Sequence, residues 1–467
     1  MNTTAAIDPR AIERFRSRFK GAVLRPADEG YDEARRIWNG AIDKRPAIIA
    51  RCTGAADVRE AVRFARDNEL LVSVRGGGHQ VAGHAVCDDG LMIDLSLMKA
   101  VRVDPEARTA RAAGGLVWGE LDRATQALGL ATTGGVISHT GVGGLTLGGG
   151  IGHLMGRFGL TVDNLRSVDL ITADGELITV NDQTEPELFW GLRGGGGNFG
   201  VATAFEYGLH PVGPIVLAGP IFWPLEQAPA VLRAVRDFMH DAPDEVGVLA
   251  ALRLAPPMPF LPPERYGSPV IVLLPVYAGD LEEGARVLAP LRGVGTPIVD
   301  VVRPVPYLFV QSMFDAGAPH GLHYYFKSLL FSELSDEVID ELAGRVPSIT
   351  SPLSQIRLHA IGGLVRRIDP ASTAASGRDA AFDMMYLSAW PAAAPDADPH
   401  VAWVREGYEA IQHHASGIYS QFITDEGPTG VRAAFGAKLD RLVALKDRYD
   451  PTNFFRLNQN IEPSGHP

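Results

Sequence analysis

Up to residue 211, short apolar runs alternate with polar stretches and glycine clusters, and the period of each run predicts an element. The run at 47–50 predicts a buried strand, and Val58, Ala61, Val62 and Ala65 fall on one face of a helix over 57–68. Runs at 71–74 and 91–95 predict further strands, followed by a pair at 100–103 and 109–113. Leu121, Ala124 and Leu128 give 117–128 a helical stripe. Strands at 168–173 and 176–180 flank Asp174-Gly175, the dipeptide of a tight hairpin. Leu188, Phe189 and Leu192 mark a short helix, 201–205 reads as a strand, and residues 1–45 read as a helical lead-in.

After Pro211-Val212-Gly213-Pro214 the texture changes. Strands at 246–254, 270–277 and 382–390 alternate with helices at 226–240, 281–292 and 335–345. Ser335 followed by Asp336 and Glu337 is a good start for the last of these. Proline-rich joints such as Pro256-Pro257 separate the elements. An antiparallel or mixed sheet with helices on one side fits this segment better than a regular parallel winding. The tail carries one helix, predicted at 431–448.

Composition adds three constraints. Net charge is −12 with no basic tract, which argues against nucleic acid or an anionic membrane as partner. Two cysteines, Cys52 and Cys87, are too few for a disulfide framework. No apolar run reaches membrane-spanning length, so a soluble, cytoplasmic protein is expected. Glycine is the residue that stands out, clustering at 76–78, 134–152 and 194–200.

Those clusters carry the candidate chemistry. A strand ending in Arg75-Gly76-Gly77-Gly78-His79 brings bare backbone N–H groups together, which suits a phosphate or pyrophosphate, with His79 beside it. The loop does not open a helix, which argues against a Rossmann or P-loop unit. Gly195 to Gly200 matches G-x-G-x-x-G, but a strand follows where the dinucleotide fingerprint needs a helix. Gly135-Val136-Ile137-Ser138-His139 is not a G-x-S-x-G elbow. His79, His84 and Cys87 fit no standard metal spacing, so no metal is expected. His139 and His153 each adjoin a glycine block and are read first as structural.

With these residues in view, the chain resembles the berberine bridge enzyme-like flavoprotein oxidases of the vanillyl-alcohol oxidase superfamily, which share a PCMH-type FAD-binding fold. The motifs in family order are Arg75 to His79, Gly141 to Gly144, Gly148 to Gly152, Phe158 to Asn164, Arg193 to Val201, and Asp450 to Ile461. The resemblance implies a two-lobed α+β fold: an FAD lobe over 1–211, a substrate lobe over 212–418 with an antiparallel sheet covered by helices, and a 419–467 segment returning to the FAD lobe.

It further implies FAD joined covalently through His79. The implied cofactor-binding set is Arg75, Gly76, Gly77, Gly78, His79, Gln80, Gly83, His84, Gly135, Thr140, Gly141, Gly143, Gly144, Gly149, Gly152, Asn198, Val201 and Asn458. Two departures matter. Ile137 stands where many relatives carry a second cysteine anchor, so a mono-covalent link is expected, as in the bacterial 6-hydroxynicotine oxidase type. Phe422 stands where some relatives use a tyrosine base. Tyr419 is then the first candidate base and Tyr386 the second, with Tyr325 and His359 behind them.

The implied reaction is hydride transfer from a C–H next to O or N of a small organic substrate, with molecular oxygen as acceptor. Alcohols, sugars, phenolics, alkaloids and cyclic amines are the candidate substrates, and a homo-oligomer is compatible with the chain. An NAD(P)H-dependent flavin reductase or an FAD dehydrogenase on the same fold is the alternative, and a non-catalytic flavin- or sugar-binding protein is a third.

Overall fold

The computed structural model describes residues 7–394 and 396–465. Asp8 caps the first helix, Pro9–Arg18, by accepting from the Arg10 N–H, and Pro9 takes the first-turn position where no donor is lost. The lead-in is not all helical, because Ala22–Leu24 adds antiparallel to the strand Ile48–Arg51. Ile48–Arg51, Leu91–Asp94 and Val72–Arg75 pair in parallel, joined through the helix Ala55–Asp67. A second sheet is antiparallel throughout, in the order Val101–Asp104, Thr109–Ala113, Val201–Gly208, Leu165–Ile171, Leu177–Asn181. The expected turn at Asp174-Gly175 closes the last pair, with Gly175 at φ +73°.

From Ile215 onward a nine-stranded sheet forms, antiparallel in every pairing. Five of its strands run in the order Pro269–Tyr277, Val246–Leu254, Gln355–Ala360, Phe382–Trp390, His323–Phe331, the last at the edge. The mixed or antiparallel sheet with helices on one side is what is found. The period of two splits each strand between two environments. Val248, Ala250, Leu252, Ile356, Leu358, Met384 and Tyr386 pack with the helices Ala228–His240, Asp336–Arg345 and Asp398–Ile411. Leu249, Met385 and Leu387 line a cleft on the opposite face, and Ala251 lies on that side too. Helix Asp398–Ile411 and the strands His323–Phe331 and Gln355–Ala360 were not anticipated.

The tail packs back into the first lobe: Ile423, Val431, Phe435, Leu442, Leu445 and Ile461 share a core with Leu170, Phe199 and Phe205. Its expected single helix is two, Gly427–Phe435 and Leu439–Tyr449. Gly436 separates them at φ +50°, a left-handed conformation that an α-helix does not continue through. Among the described residues no helix is long and apolar enough to cross a membrane.

Candidate functional site

A large cleft, about 2160 Å³ with its open mouth included, runs between the first lobe and the free face of the nine-stranded sheet. One wall is backbone. Gly76, Gly77, Gly78, Gly135, Gly141, Gly143, Gly144, Gly196 and Gly197 line it. Two of these glycines exist for close approach: a Cβ on Gly77 would fall 2.4 Å from Gly141 N, and one on Gly141 would fall 2.4 Å from Gly77 N. Gly144 and Gly197 are the reverse case, since a Cβ there meets no protein atom within 4 Å. The wall is bare where a ligand would lie against it.

His79 stands on this wall with its ring orientation set by stacking on Trp38, at 4.3 Å between centroids and 16° between planes. Trp38 also stacks on Tyr324, at 3.7 Å, and its indole N–H donates to Ala318 O. His79 Nε2 lies 2.9 Å from His139 Nδ1. Removal from water, with His139, His320 and Arg357 nearby, holds the His79 imidazole well below its ordinary value, so it is neutral at physiological pH. Either ring can donate in this pair; where His79 donates from Nε2, its Nδ1 keeps a free lone pair. Ile137 lines the same cleft, and both cysteines are buried outside it.

Of the other residues expected to bind a cofactor, Gln80, His84, Thr140, Val201 and Asn458 line the cleft. Five do not. Arg75 turns away into a bidentate ion pair with the buried Asp94, its register partner on the parallel strand, with 2.9 Å from Nε and 2.6 Å from Nη2. Its charge fastens the loop and is spent there. Gly83 packs on Ile42, Gly152 against the Gly134 carbonyl, and Gly149 beside the Tyr419 hydroxyl. Asn198 is buried behind the wall: its amide donates to Gly195 O and Gln459 O and accepts from Ile461 N–H. It ties the tail to the glycine loop, so that Leu457, Asn458 and Gln459 reach the cleft.

The opposite wall is side chains from alternate positions of the sheet: Arg253, Gln355, Arg357, His359, Met385 and Leu387, with Tyr324 and Phe326 beside them. His359 is buried, and neither ring nitrogen has a hydrogen-bond partner. Its Nδ1 lies 3.4 Å from Asp383 Oδ2, in ion-pair range but off hydrogen-bond geometry. Burial lowers its pKa, opposed by Asp383, so the ring is neutral and backed by a carboxylate.

The tyrosines expected as bases fare differently. Tyr386 is on the helix face of its strand, edge-on to Trp403 and against Gly407, because residues 385 and 387 take the cleft face. Tyr325 falls on that face for the same reason and bonds to Asp425 and Arg405. Tyr419 does line the cleft, but its hydroxyl accepts from the Gly150 N–H at 2.8 Å, and burial pushes its phenol up, the wrong direction for a base. Sequence reading missed Trp38, Arg253 and Arg357; Trp38 carries no local signal, whereas Arg357 and His359 alternate with Ile356 and Leu358.

An extended ligand with both donors and acceptors fits this cleft. Gln80 Nε2, Asn458 Oδ1 and Gln459 Nε2 are buried without partners, and the glycine wall leaves room for a flat ring system. The residues present therefore fit FAD. Comparison with known proteins agrees. An FAD binding domain family model matches residues 46–181, and a berberine and berberine-like model matches 424–462. An FAD-linked oxidoreductase of Dictyostelium discoideum is 31% identical over 459 residues, 97% of each chain. The (R)-6-hydroxynicotine oxidase of Paenarthrobacter nicotinovorans is 32% identical over 463 residues, covering 96% of this chain and 97% of that one. The crystal structure of 6-hydroxy-D-nicotine oxidase from Arthrobacter nicotinovorans superposes with a TM-score of 0.86 at 30% identity, over 96% of this chain and 98% of that one.

Proposed function

This chain belongs to the berberine bridge enzyme-like family of FAD-linked oxidoreductases, and from that premise we propose an oxidase that holds FAD covalently through His79 alone and uses His359 as its base. Bound FAD would supply the two-electron acceptor for hydride from a substrate C–H next to O or N, with dioxygen as the final acceptor and hydrogen peroxide as its product. Everything else is work for the protein. Gly76 to Gly78, Gly141 to Gly144 and Gly196-Gly197 would hold the extended cofactor, with Gln80, Asn458 and Gln459 meeting its polar edges. A neutral imidazole with a free ring nitrogen is the nucleophile a histidyl link requires, and Ile137 has no group for a second one.

The observation that carries the reading is the pairing of His79 on the bare wall with His359 on the side-chain wall of one cleft. His359 would take the O–H or N–H proton of the substrate as its C–H is oxidised. The imidazolium so formed faces Asp383, which lowers the cost of charging a buried ring. Similarity to a 6-hydroxynicotine oxidase supports a small organic substrate.

The test is a peroxide-coupled screen of alcohols, sugars, phenolics and cyclic amines, with each hit mixed anaerobically to follow bleaching of the flavin band. The expected result is a compound that bleaches the flavin without oxygen and releases one peroxide per substrate with it. Rapid bleaching by NADPH, with no peroxide from any compound, would favour a reductase instead.

A further inference from the structure

Two arginines on the side-chain wall have no anion. Arg253 and Arg357 sit on the paired strands Val246–Leu254 and Gln355–Ala360, where Arg357 is opposite Ala251 and Arg253 is opposite Gln355. That places the guanidinium-bearing residues diagonally, at a Cα spacing of roughly 7–8 Å, on the same face of the sheet. Both line the cleft. Arg253 Nε donates only to Leu254 O at 3.2 Å, Arg357 Nη2 reaches only Met385 Sδ at 3.8 Å, and Arg357 Nε is buried with no partner. Among the described residues neither makes an ion pair. The carboxylate on this face of the neighbouring strand, Asp383, is at ion-pair distance from His359 and not from either arginine.

A guanidinium withdrawn from water without a counter-ion is costly, and a protein keeps such a group where something else completes it. Two cations against one carboxylate, with His359 neutral, leave one unit of positive charge on this wall. The planar fork of arginine matches a carboxylate in particular. Resting on the reading above that this cleft oxidises a small molecule beside FAD, we propose that the substrate carries a carboxylate, held by Arg253 and Arg357, while Leu249, Leu387 and Phe326 cover its apolar part. The substrate class is therefore an organic acid with an oxidisable C–H, such as a hydroxy acid, an amino acid derivative or a sugar acid.

Lactate, mandelate, benzoate and gluconate, each against its own amide, are titrated anaerobically into the flavin-loaded enzyme while the visible flavin spectrum is followed. At least one carboxylate should bind about tenfold or more tighter than its amide, the size expected for a charge-assisted contact. Arg253→Met and Arg357→Met should each erase that preference while flavin content and the unliganded spectrum stay as in wild type. Equal binding of every acid and amide, no binding by any acid, or a preference that survives both substitutions overturns the proposal. Loss of flavin from the variants also overturns it, since the arginines would then be serving an anionic part of the cofactor. A wild-type preparation that is colourless before titration would count against the FAD reading itself.

Discussion

The two walls of the cleft are built on opposite principles. The first is backbone: glycines that let two loops touch, and glycines that leave space, with His79 among them. The second is side chains on a rigid antiparallel sheet, every other residue of strands far apart in the chain. A wall of glycine backbone suits what every member of a cofactor family shares. A wall of alternating side chains can be rewritten residue by residue without disturbing the sheet, because the other face carries the core. On the proposed reading, cofactor identity and substrate identity would be held by separate parts of the fold.

Substitutions can break this contrast at graded cost. Gly141→Ala should have the largest effect, since its Cβ would meet Gly77 N at 2.4 Å and neither backbone can yield. We expect a loss above about 4 kcal/mol, seen as little folded protein and no flavin, in the range of severe steric lesions. Gly144→Ala is the matched control: its Cβ meets nothing within 4 Å, so the melting temperature should hold while flavin retention falls.

On the other wall, His359→Gln should lower kcat by roughly a hundred- to ten-thousand-fold, the usual contribution of a general base, with flavin content unchanged. An intact kcat would remove His359 from the chemistry and leave substrates that arrive already deprotonated.

Acid should weaken the fold through buried neutral histidines. Burial pushes His84 down to about 4 and His153 down to about 3, from an ordinary value of 6.5. Below about pH 6.5 the unfolded chain binds protons that these folded sites refuse, so each contributes a loss of about 1.4 kcal/mol per pH unit until its folded pKa is reached. Asp122 works in the opposite sense: raised to about 7 by burial, it adds stability when protonated and loses it as pH rises from about 4 to 7. Two histidines against one carboxyl leave a net fall in melting temperature of the apoprotein from pH 6.5 to pH 4, and a flat profile would contradict the burial of these rings.

Smallest of all are the tyrosines. Tyr419→Phe removes the acceptor of the Gly150 N–H and should cost about 1–3 kcal/mol with kcat within a few-fold. Tyr386→Phe deletes a hydroxyl that has no partner and should change stability by less than about 1 kcal/mol and kcat not at all.

Legibility in the sequence follows the same division. The glycine wall was readable because its parts are contiguous motifs, and the loop from Gly76 to His79 needed no partner to be recognised. Arg75 and Asn198 are residues of those motifs whose side chains face the protein, a direction that spacing does not encode. The side-chain wall was hardly readable. Every residue of Phe382–Trp390 is buried, so the polar–apolar alternation that assigns faces is missing and Tyr386 could not be placed. Arg253 and Arg357 are neighbours only through strand pairing. Trp38, in the lead-in, reaches His79 through no local pattern at all.

The central claim is that the bare wall anchors FAD through one histidine. It is tested most directly by the intact mass of protein denatured in acid, for wild type and for His79→Ala. Wild type should be heavier by a single FAD, and His79→Ala should carry no added mass. Wild type without an adduct, two adducts, or an adduct that persists in His79→Ala would contradict it.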